Sequence, residues 1–261
     1  MSTAGERRSE EDRRCIALPV STEGLDCDLP VGTGFHAGIT LLPAGDMRRS
    51  RETTTAARPR FLARRGISRD CLYSVRQVHS QGVQVIDGQA AAEMAGIEAD
   101  GLLTDRTDAV LSVTVADCLP IFLVDRDSRA FGIVHSGWRG TGIVREAVSL
   151  MGLRFGTLPR NVHALIGPGI GPCCYTVPRE RADLFAARYG TAAVVEEAGR
   201  PRLDLRAANI VLLQEAGVVH VTVVTDCTSC TPRLGSFRRQ GPGDYTLMLA
   251  WIGRLRAGNG G

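Results

Sequence analysis

The stretch AVLSVTVADCLPIFLVDRDSRAFGIVHSGWRGTGIVREAVSLMGL, residues 109–153, decides the fold. Ala109–Val115 is rich in β-branched residues and reads as a strand running directly into Asp117 and Cys118. Ile121–Val124 and Ala130–Val134 are short apolar runs on either side of the polar Asp125–Arg129, the pattern of a hairpin whose second arm ends at His135. A glycine-rich turn, Ser136–Gly142, follows. Ile143–Leu153 then places Ile143, Val144, Ala147, Val148 and Met151 at helical spacing, with Gly156 as a stop. Strands that run into a helix through short connections point to an α/β fold.

Outward from this stretch the same signals recur. Ser74–Val78 and Val83–Ile86 read as strands around the turn His79–Gly82. Gln89–Gly96 is either a short helix or a loop, and Val162–Ile166 is a strand. Arg179–Tyr189 is a helix after Pro178, and Asp204 can cap another through about Glu215. Val218–Val224 is a strand, and Tyr245–Ile252 either a strand or a short helix. In the N-terminal region only Gly34–Leu42 has strand character. Residues 1–14 read as a charged, disordered tail, and residues 15–261, which no linker divides, as a single catalytic domain.

Composition narrows the function. Hydrophobic residues make up 44% and charged residues 23%, which suits a soluble chain with a large core. A net charge of +3 is too small to argue for nucleic acid or a membrane surface, and no run reaches the ~18 apolar residues of a membrane span. All basic side chains are Arg, because the chain has no lysine. Schiff-base chemistry, a phosphate-loop lysine and a Ser–Lys dyad are therefore excluded, and any bound anion falls to Arg or to backbone N–H groups. The eight cysteines, with no apolar leader ahead of them, lead to the expectation of a reducing cytoplasm and of free or metal-bound thiols.

Three short words hold the candidate chemistry: Arg76-Gln77-Val78-His79-Ser80, Val115-Ala116-Asp117-Cys118-Leu119-Pro120 and Val134-His135-Ser136-Gly137-Trp138-Arg139-Gly140. Two imidazoles and a thiolate suffice to hold zinc with one position open. Each lies at or just after a predicted strand end, where loops carry function. The 39 and 17 positions separating His79, Cys118 and His135 match no zinc-finger spacing. On residue types alone, a buried cysteine and two hydrogen-bonded histidines remain the competing reading. An open zinc site lowers the pKa of bound water toward about 7 and so supplies a hydroxide nucleophile. Asp117 or Asp100 could shuttle the proton, and Asp117 could equally cap a turn. Arg139, Arg76 and the pair Arg238–Arg239 are the cations available to a dianion, and Gly137 and Gly140 let backbone N–H groups approach it. Trp138 either stacks on a base or packs beneath its loop.

Further words occur in order with these: Ala99-Asp100-Gly101-Leu102-Leu103-Thr104, Ile166-Gly167-Pro168-Gly169-Ile170-Gly171-Pro172-Cys173-Cys174-Tyr175, Asp226-Cys227-Thr228 and Ser236-Phe237-Arg238-Arg239. Together, over Leu72–Arg239, the chain resembles the laccase-like polyphenol oxidase family, also described as purine nucleoside phosphorylases, which includes a bacterial peptidoglycan editing factor. The resemblance implies a layered α/β sandwich with a mixed sheet core. It also implies zinc, with copper as the alternative, held by His79, Cys118 and His135. The implied activities are phosphorolysis of adenosine, inosine and S-methyl-5′-thioadenosine, and deamination of adenosine. The partners would be a small-molecule nucleoside and phosphate, with the oligomeric state open. Residues 30–60 depart from the family, where Gly34-Phe35-His36-Ala37-Gly38-Ile39 replaces the usual Arg-Gly-Gly-Val-Ser word. So does the closing segment Arg238–Asp244.

Other chemistries are weaker. A multicopper oxidase needs far more imidazoles than the five histidines present. Cys227-x-x-Cys230 lacks the His-x-Glu partner of nucleobase deaminases. It reads as buried free thiols, with a redox pair or a second metal site as alternatives, and the adjacent Cys173–Cys174 read as loop packing. From another reaction class, Cys118 and His135 could form a metal-free thiol hydrolase that cleaves an amide on a peptidoglycan precursor. A zinc-stabilised binding protein is the non-enzymatic reading.

Overall fold

The structure is a computed structural model that describes residues 13–20, 24–32, 34–51 and 55–254. In chain order the strands are β1 (Arg13–Ile16), β2 (Asp26–Asp28), β3 (His36–Thr40), β4 (Leu72–Tyr73), β5 (Val83–Val85), β6 (Gly101–Thr104), β7 (Val110–Val115), β8 (Leu119–Asp125), β9 (Phe131–Ser136), β10 (Val162–Ile166), β11 (Val194–Glu197), β12 (Arg200–Leu203), β13 (His220–Val224) and β14 (Met248–Gly253). The helices are α1 (Ala57–Arg64), α2 (Ala91–Met94), α3 (Ile143–Phe155), α4 (Arg179–Tyr189), α5 (Leu205–Glu215) and α6 (Phe237–Gln240). Seven strands form a mixed sheet in the order β1-β13-β10-β8-β9-β6-β5, and five form a second in the order β2-β3-β14-β7-β4.

The two-residue period of the strands builds the layers. On β8, Leu119, Ile121 and Leu123 pack with Val144 and Met151 of α3, Phe185 of α4 and Leu212 of α5. Phe122 and Val124 point the other way, toward Leu111 and Val113 of β7 and Ala250 and Ile252 of β14. Phe61 and Leu62 of α1 cover the outer face of the smaller sheet at Val110, Leu249 and Trp251. The architecture is helix–sheet–sheet–helix, a layered α/β sandwich with a mixed sheet core, as the sequence leads one to expect. All seven residues of β8 are buried, which is why it reads as an unbroken apolar run. Each of its Leu, Ile, Phe and Val side chains contributes about 1.5–3 kcal/mol on burial.

The hairpin β8–β9 forms as expected, with Leu119 opposite Ser136 and Pro120 opposite His135. Asp204 caps α5 by accepting from the N–H groups of Arg206 and Ala207, both at 3.0 Å. Gly156 ends α3 in the left-handed region at φ 69°. Tyr245–Ile252 resolves as strand β14 from Met248 onward, and Gln89–Gly96 contains the single-turn α2.

Three expectations need correction. Ser74–Val78 is not a strand: β4 ends at Tyr73, and only Arg76 makes an isolated bridge, to Glu98. The N–H groups of Val78 and Ser80 that a ladder would use are taken by the Asp100 carboxylate, at 3.2 and 2.6 Å. Accordingly, β5 pairs in parallel with β6 rather than with the preceding segment. Within the charged tail expected over residues 1–14, Arg13 and Arg14 belong to β1, which pairs in parallel with β13; residues 1–12 lie outside those described. Among the described residues, no helix is long and apolar enough to cross a membrane.

Candidate active site

Cys118 immediately precedes β8 and His135 lies near the end of β9, so the antiparallel register of one hairpin brings them together. His79 arrives on a separate turn with a left-handed backbone, φ 60°. The candidate ligand atoms of His79, Cys118 and His135 all lie within 4.8 Å of one another. The rings of His79 and His135 meet edge to face, with centroids 4.9 Å apart. His135 is buried, Cys118 partly so, and His79 is exposed, which gives the group one open side.

Asp100, which is 0% exposed, organises this group. Its Oδ1 accepts from the His79 N–H at 3.0 Å and from His135 Nδ1 at 2.8 Å. Its Oδ2 accepts from the N–H groups of Val78 and Ser80 and from the Ser80 hydroxyl at 2.8 Å. One carboxylate thus shapes the His79 turn and orients the His135 ring. Because it can only accept, it places the ring proton on Nδ1 and leaves Nε2 with its lone pair. Burial pushes the Asp100 pKa up, but the hydrogen bonds from His135 and Ser80 outweigh it and hold the carboxyl at about 2. Burial likewise opposes charge on Cys118 and His135. The imidazoles, His135 foremost, nevertheless lower the Cys118 thiol, and the Cys118 charge together with Asp100 raises His135.

The glycine-rich turn is shaped by close approach. A Cβ on Gly137 would lie 2.6 Å from Cys118 Sγ and 3.6 Å from His79 Cδ2, and one on Gly140 would lie 2.8 Å from the Ser80 carbonyl oxygen. Asp117 has φ 89°, and both of its carboxylate oxygens are engaged: Oδ1 by the Thr228 hydroxyl at 2.6 Å, Oδ2 by the Arg238 N–H at 2.7 Å. It ties the segment before Cys118 to the distant Thr228 loop and to helix α6.

The remaining sequence candidates separate. Trp138 packs against the helical core, and the guanidinium groups of Arg181 and Arg139 lie 4.4 and 5.2 Å from its ring centroid. Arg139 itself is exposed. Arg76 pairs with Glu98 on the surface. Arg239 donates to the carbonyls of Thr228, Ser229, Thr231 and Leu234, and so closes its own loop. Arg238 donates to the carbonyls of Cys174 and Thr176 and lies 5.5 Å over the Tyr175 ring. Tyr175 and Arg181 were not singled out on sequence. Burial foremost, then the nearby Cys118, pushes the Tyr175 hydroxyl up to about 12; its place in the Cys173-Cys174-Tyr175 word was the available signal.

A second group was foreseen only in part: a second metal site was an alternative reading of Cys227 and Cys230, without Cys173 and Cys174. The sulfurs of Cys173, Cys174, Cys227 and Cys230 also lie within 4.8 Å of one another. Cys173–Cys174 is therefore more than loop packing, and of the pair read as buried thiols only Cys227 is buried, Cys230 being exposed. The parallel bridge Gly169–Cys227 brings the two loops together, which sequence separation conceals.

A family model described as multi-copper polyphenol oxidoreductase laccase matches residues 44–254. The chain is 36% identical over 194 residues to the purine nucleoside phosphorylase YlmD of Geobacillus stearothermophilus, covering 68% of this chain and 70% of that protein. It is 34% identical over 227 residues to a purine nucleoside phosphorylase of Deinococcus radiodurans, covering 87% and 86%. The crystal structure of the Geobacillus YlmD superposes with a TM-score of 0.84 at 29% identity, over 92% of this chain and 100% of that one. Bacillus licheniformis YfiH, a hypothetical protein, superposes with a TM-score of 0.80 at 27% identity, over 88% and 96%. With four-fifths of its length matched by that family model and relatives aligned over most of the chain, this protein belongs to the laccase-like multi-copper polyphenol oxidoreductase family, and its relatives from Geobacillus stearothermophilus and Deinococcus radiodurans carry the name purine nucleoside phosphorylase.

Proposed function

We propose that the chain is a zinc-dependent purine nucleoside phosphorylase. It acts on adenosine, inosine and S-methyl-5′-thioadenosine, releasing the base and a ribose 1-phosphate, with deamination of adenosine as a side activity. The observation that carries the reading is the convergence of His79, Cys118 and His135, with ligand atoms within 4.8 Å, around Asp100. The donor set fits zinc: two imidazoles, one of them oriented through a carboxylate, and a thiol already biased toward thiolate. Copper in a multicopper arrangement fits less well, since the other group of potential ligands among the described residues holds no histidine. When bound, zinc supplies Lewis-acid polarisation at an open coordination position.

The protein's own residues supply the rest. Asp100 fixes the His135 ring and the His79 turn. Asp117 holds the Thr228 loop and helix α6 against the Cys118 segment. Phosphorolysis needs a dianion beside ribose C1′. Arg139, exposed beside the glycine turn, is the best placed of the sequence candidates to bind it, with Arg238 next. Trp138, packed on the helical core and in contact with two guanidinium groups, serves as a packed wall. The decisive experiment incubates zinc-loaded protein with adenosine, with and without phosphate, beside Cys118→Ala, and follows adenine, inosine and hypoxanthine by chromatography. Phosphate-dependent adenine that the variant fails to produce supports phosphorolysis, and phosphate-independent inosine supports deamination. Silence of both proteins with metal bound refutes the nucleoside reading. The Cys118–His135 contact carries a second reading, an amide hydrolase editing a peptidoglycan precursor, and turnover indifferent to chelators would select it.

A further inference from the structure

Cys173 and Cys174 lie on the loop after β10, and Cys227 and Cys230 on the loop after β13. None of the four is in a disulfide. Cys230 Sγ lies 3.6 Å from Cys173 Sγ and 3.3 Å from Cys174 Sγ. A zinc ion bonded to four sulfurs at about 2.3 Å sits in a tetrahedron with edges of about 3.8 Å. Sulfurs all within 4.8 Å of one another therefore enclose one ion and leave no room for a multinuclear cluster.

The surroundings are those of a thiolate site. The Gly171 N–H donates to Cys227 Sγ at 3.2 Å, and a Cβ on Gly171 would lie 3.2 Å from both Cys173 Sγ and Arg206 Nη1. Arg206 is the independent sign. It is only 8% exposed, its Nη2 donates to the carbonyls of Gly169 and Asp226, and its Nε has no partner. A buried guanidinium with no carboxylate at ion-pair distance is costly unless negative charge lies nearby. Asp204, then Cys227 and Cys173, then Asp226 face Arg206, and a tetrathiolate zinc centre, with two net negative charges, adds to that charge at the two cysteines.

We propose that Cys173, Cys174, Cys227 and Cys230 form a structural zinc site, separate from the His79–Cys118–His135 group. Binding displaces the thiol protons to solvent, and exposed Cys173 and Cys230 give the ion an entry path. The clasp locks the loop carrying Tyr175 to the loop carrying Thr228, and through Thr228 and Arg238 it reaches Asp117 beside Cys118.

The test isolates this site in the Cys118→Ala protein, so it is independent of the nucleoside reading. Zinc is measured by mass spectrometry of desalted protein. Cys118→Ala is expected to keep one zinc per chain, and adding Cys173→Ser with Cys230→Ser is expected to remove it. In parallel, the wild-type protein is treated with N-ethylmaleimide and mapped by peptide mass. The four cysteines should resist alkylation until a chelator is added, and cobalt substitution should give thiolate-to-metal absorption that Cys118→Ala retains. Metal-free Cys118→Ala, alkylation of Cys173 and Cys230 at equal rates with and without chelator, or a disulfide among the four in freshly prepared protein would each overturn the proposal.

Discussion

Asp100→Asn changes one atom and tests how the site is organised. The carboxylate takes five donors: His79 N–H and His135 Nδ1 on one oxygen; Val78 N–H, Ser80 N–H and the Ser80 hydroxyl on the other. An amide offers only one oxygen. If it faces the Val78–Ser80 side, its NH2 confronts the His135 Nδ1–H, and the ring must move its proton to Nε2 and lose the lone pair that would bind metal. If it faces His79 and His135, the part-buried N–H groups of Val78 and Ser80 on the other side are left facing an NH2. An unsatisfied buried donor costs about 1–3 kcal/mol, and less where water reaches it, so the variant should lose about 1–3 kcal/mol of stability in chelator. Disturbing a carboxylate behind a ligating histidine typically weakens metal affinity about 10–100-fold, the drop expected in a competitive zinc titration. Urea unfolding in chelator gives the first quantity and the titration the second. If both stay at wild-type values, Asp100 does not organise the site and the argument from its hydrogen bonds is wrong.

Other perturbations separate the site from its scaffold. Gly137→Ala puts a methyl 2.6 Å from Cys118 Sγ at a position without positive φ; the fold should survive, by circular dichroism, while turnover falls at least about tenfold. Undiminished turnover would show that the sulfur's position does not matter. Arg239→Ala removes donors to the carbonyls of Thr228, Ser229, Thr231 and Leu234. It should lower stability by about 1–3 kcal/mol, and a change in KM for phosphate with unchanged melting would point instead to anion binding. His163 Nδ1 donates to the Val31 carbonyl at 3.3 Å, Nε2 of the neutral ring accepts from the Thr222 hydroxyl at 2.9 Å, and burial pushes the pKa down. Its neutral ring contributes stability above the unfolded value of about 6.5, and this is lost as pH falls through the lower folded value. The stability gap between wild type and His163→Asn should therefore narrow from pH 7 to pH 5 in urea titrations; a gap that widens refutes the sign.

How much of this was legible in the chain depends on whether the determining contact is local. β8 and β9 announce themselves because apolar runs flank a polar turn, and α3 and α5 because spacing and caps agree. β1 reads as tail because Arg-Arg-Cys-Ile is charged and its residues are exposed or only partly buried; it is a strand only because β13 pairs with it. β6 was named as a word but not as a strand, since Gly101-Leu102-Leu103-Thr104 is buried throughout and shows no alternation. The β11–β12 hairpin and α1, whose Ala-Arg-Pro-Arg opening hides an apolar face at Phe61 and Leu62, were likewise unread.

The two cysteine-bearing groups show the same principle at the level of chemistry. His79, Cys118 and His135 could be proposed together because two of them flank one hairpin and each stands in a distinctive word. Their proximity, however, depends on Asp100, whose five acceptor contacts span residues 78 to 135 and leave no mark on composition or period. Cys227 and Cys230 suggested a pair, but nothing local joins them to Cys173 and Cys174. Those four sulfurs meet because β13 lies parallel to β10 in the sheet, so the loops at the same ends of the two strands leave side by side. A parallel neighbour is set by the whole sheet order rather than by any turn, so sites built at such strand ends are the ones a sequence reading misses and a topology reveals. The hairpin-borne group is thus open to inference from sequence, while the four-cysteine group depends on strand order.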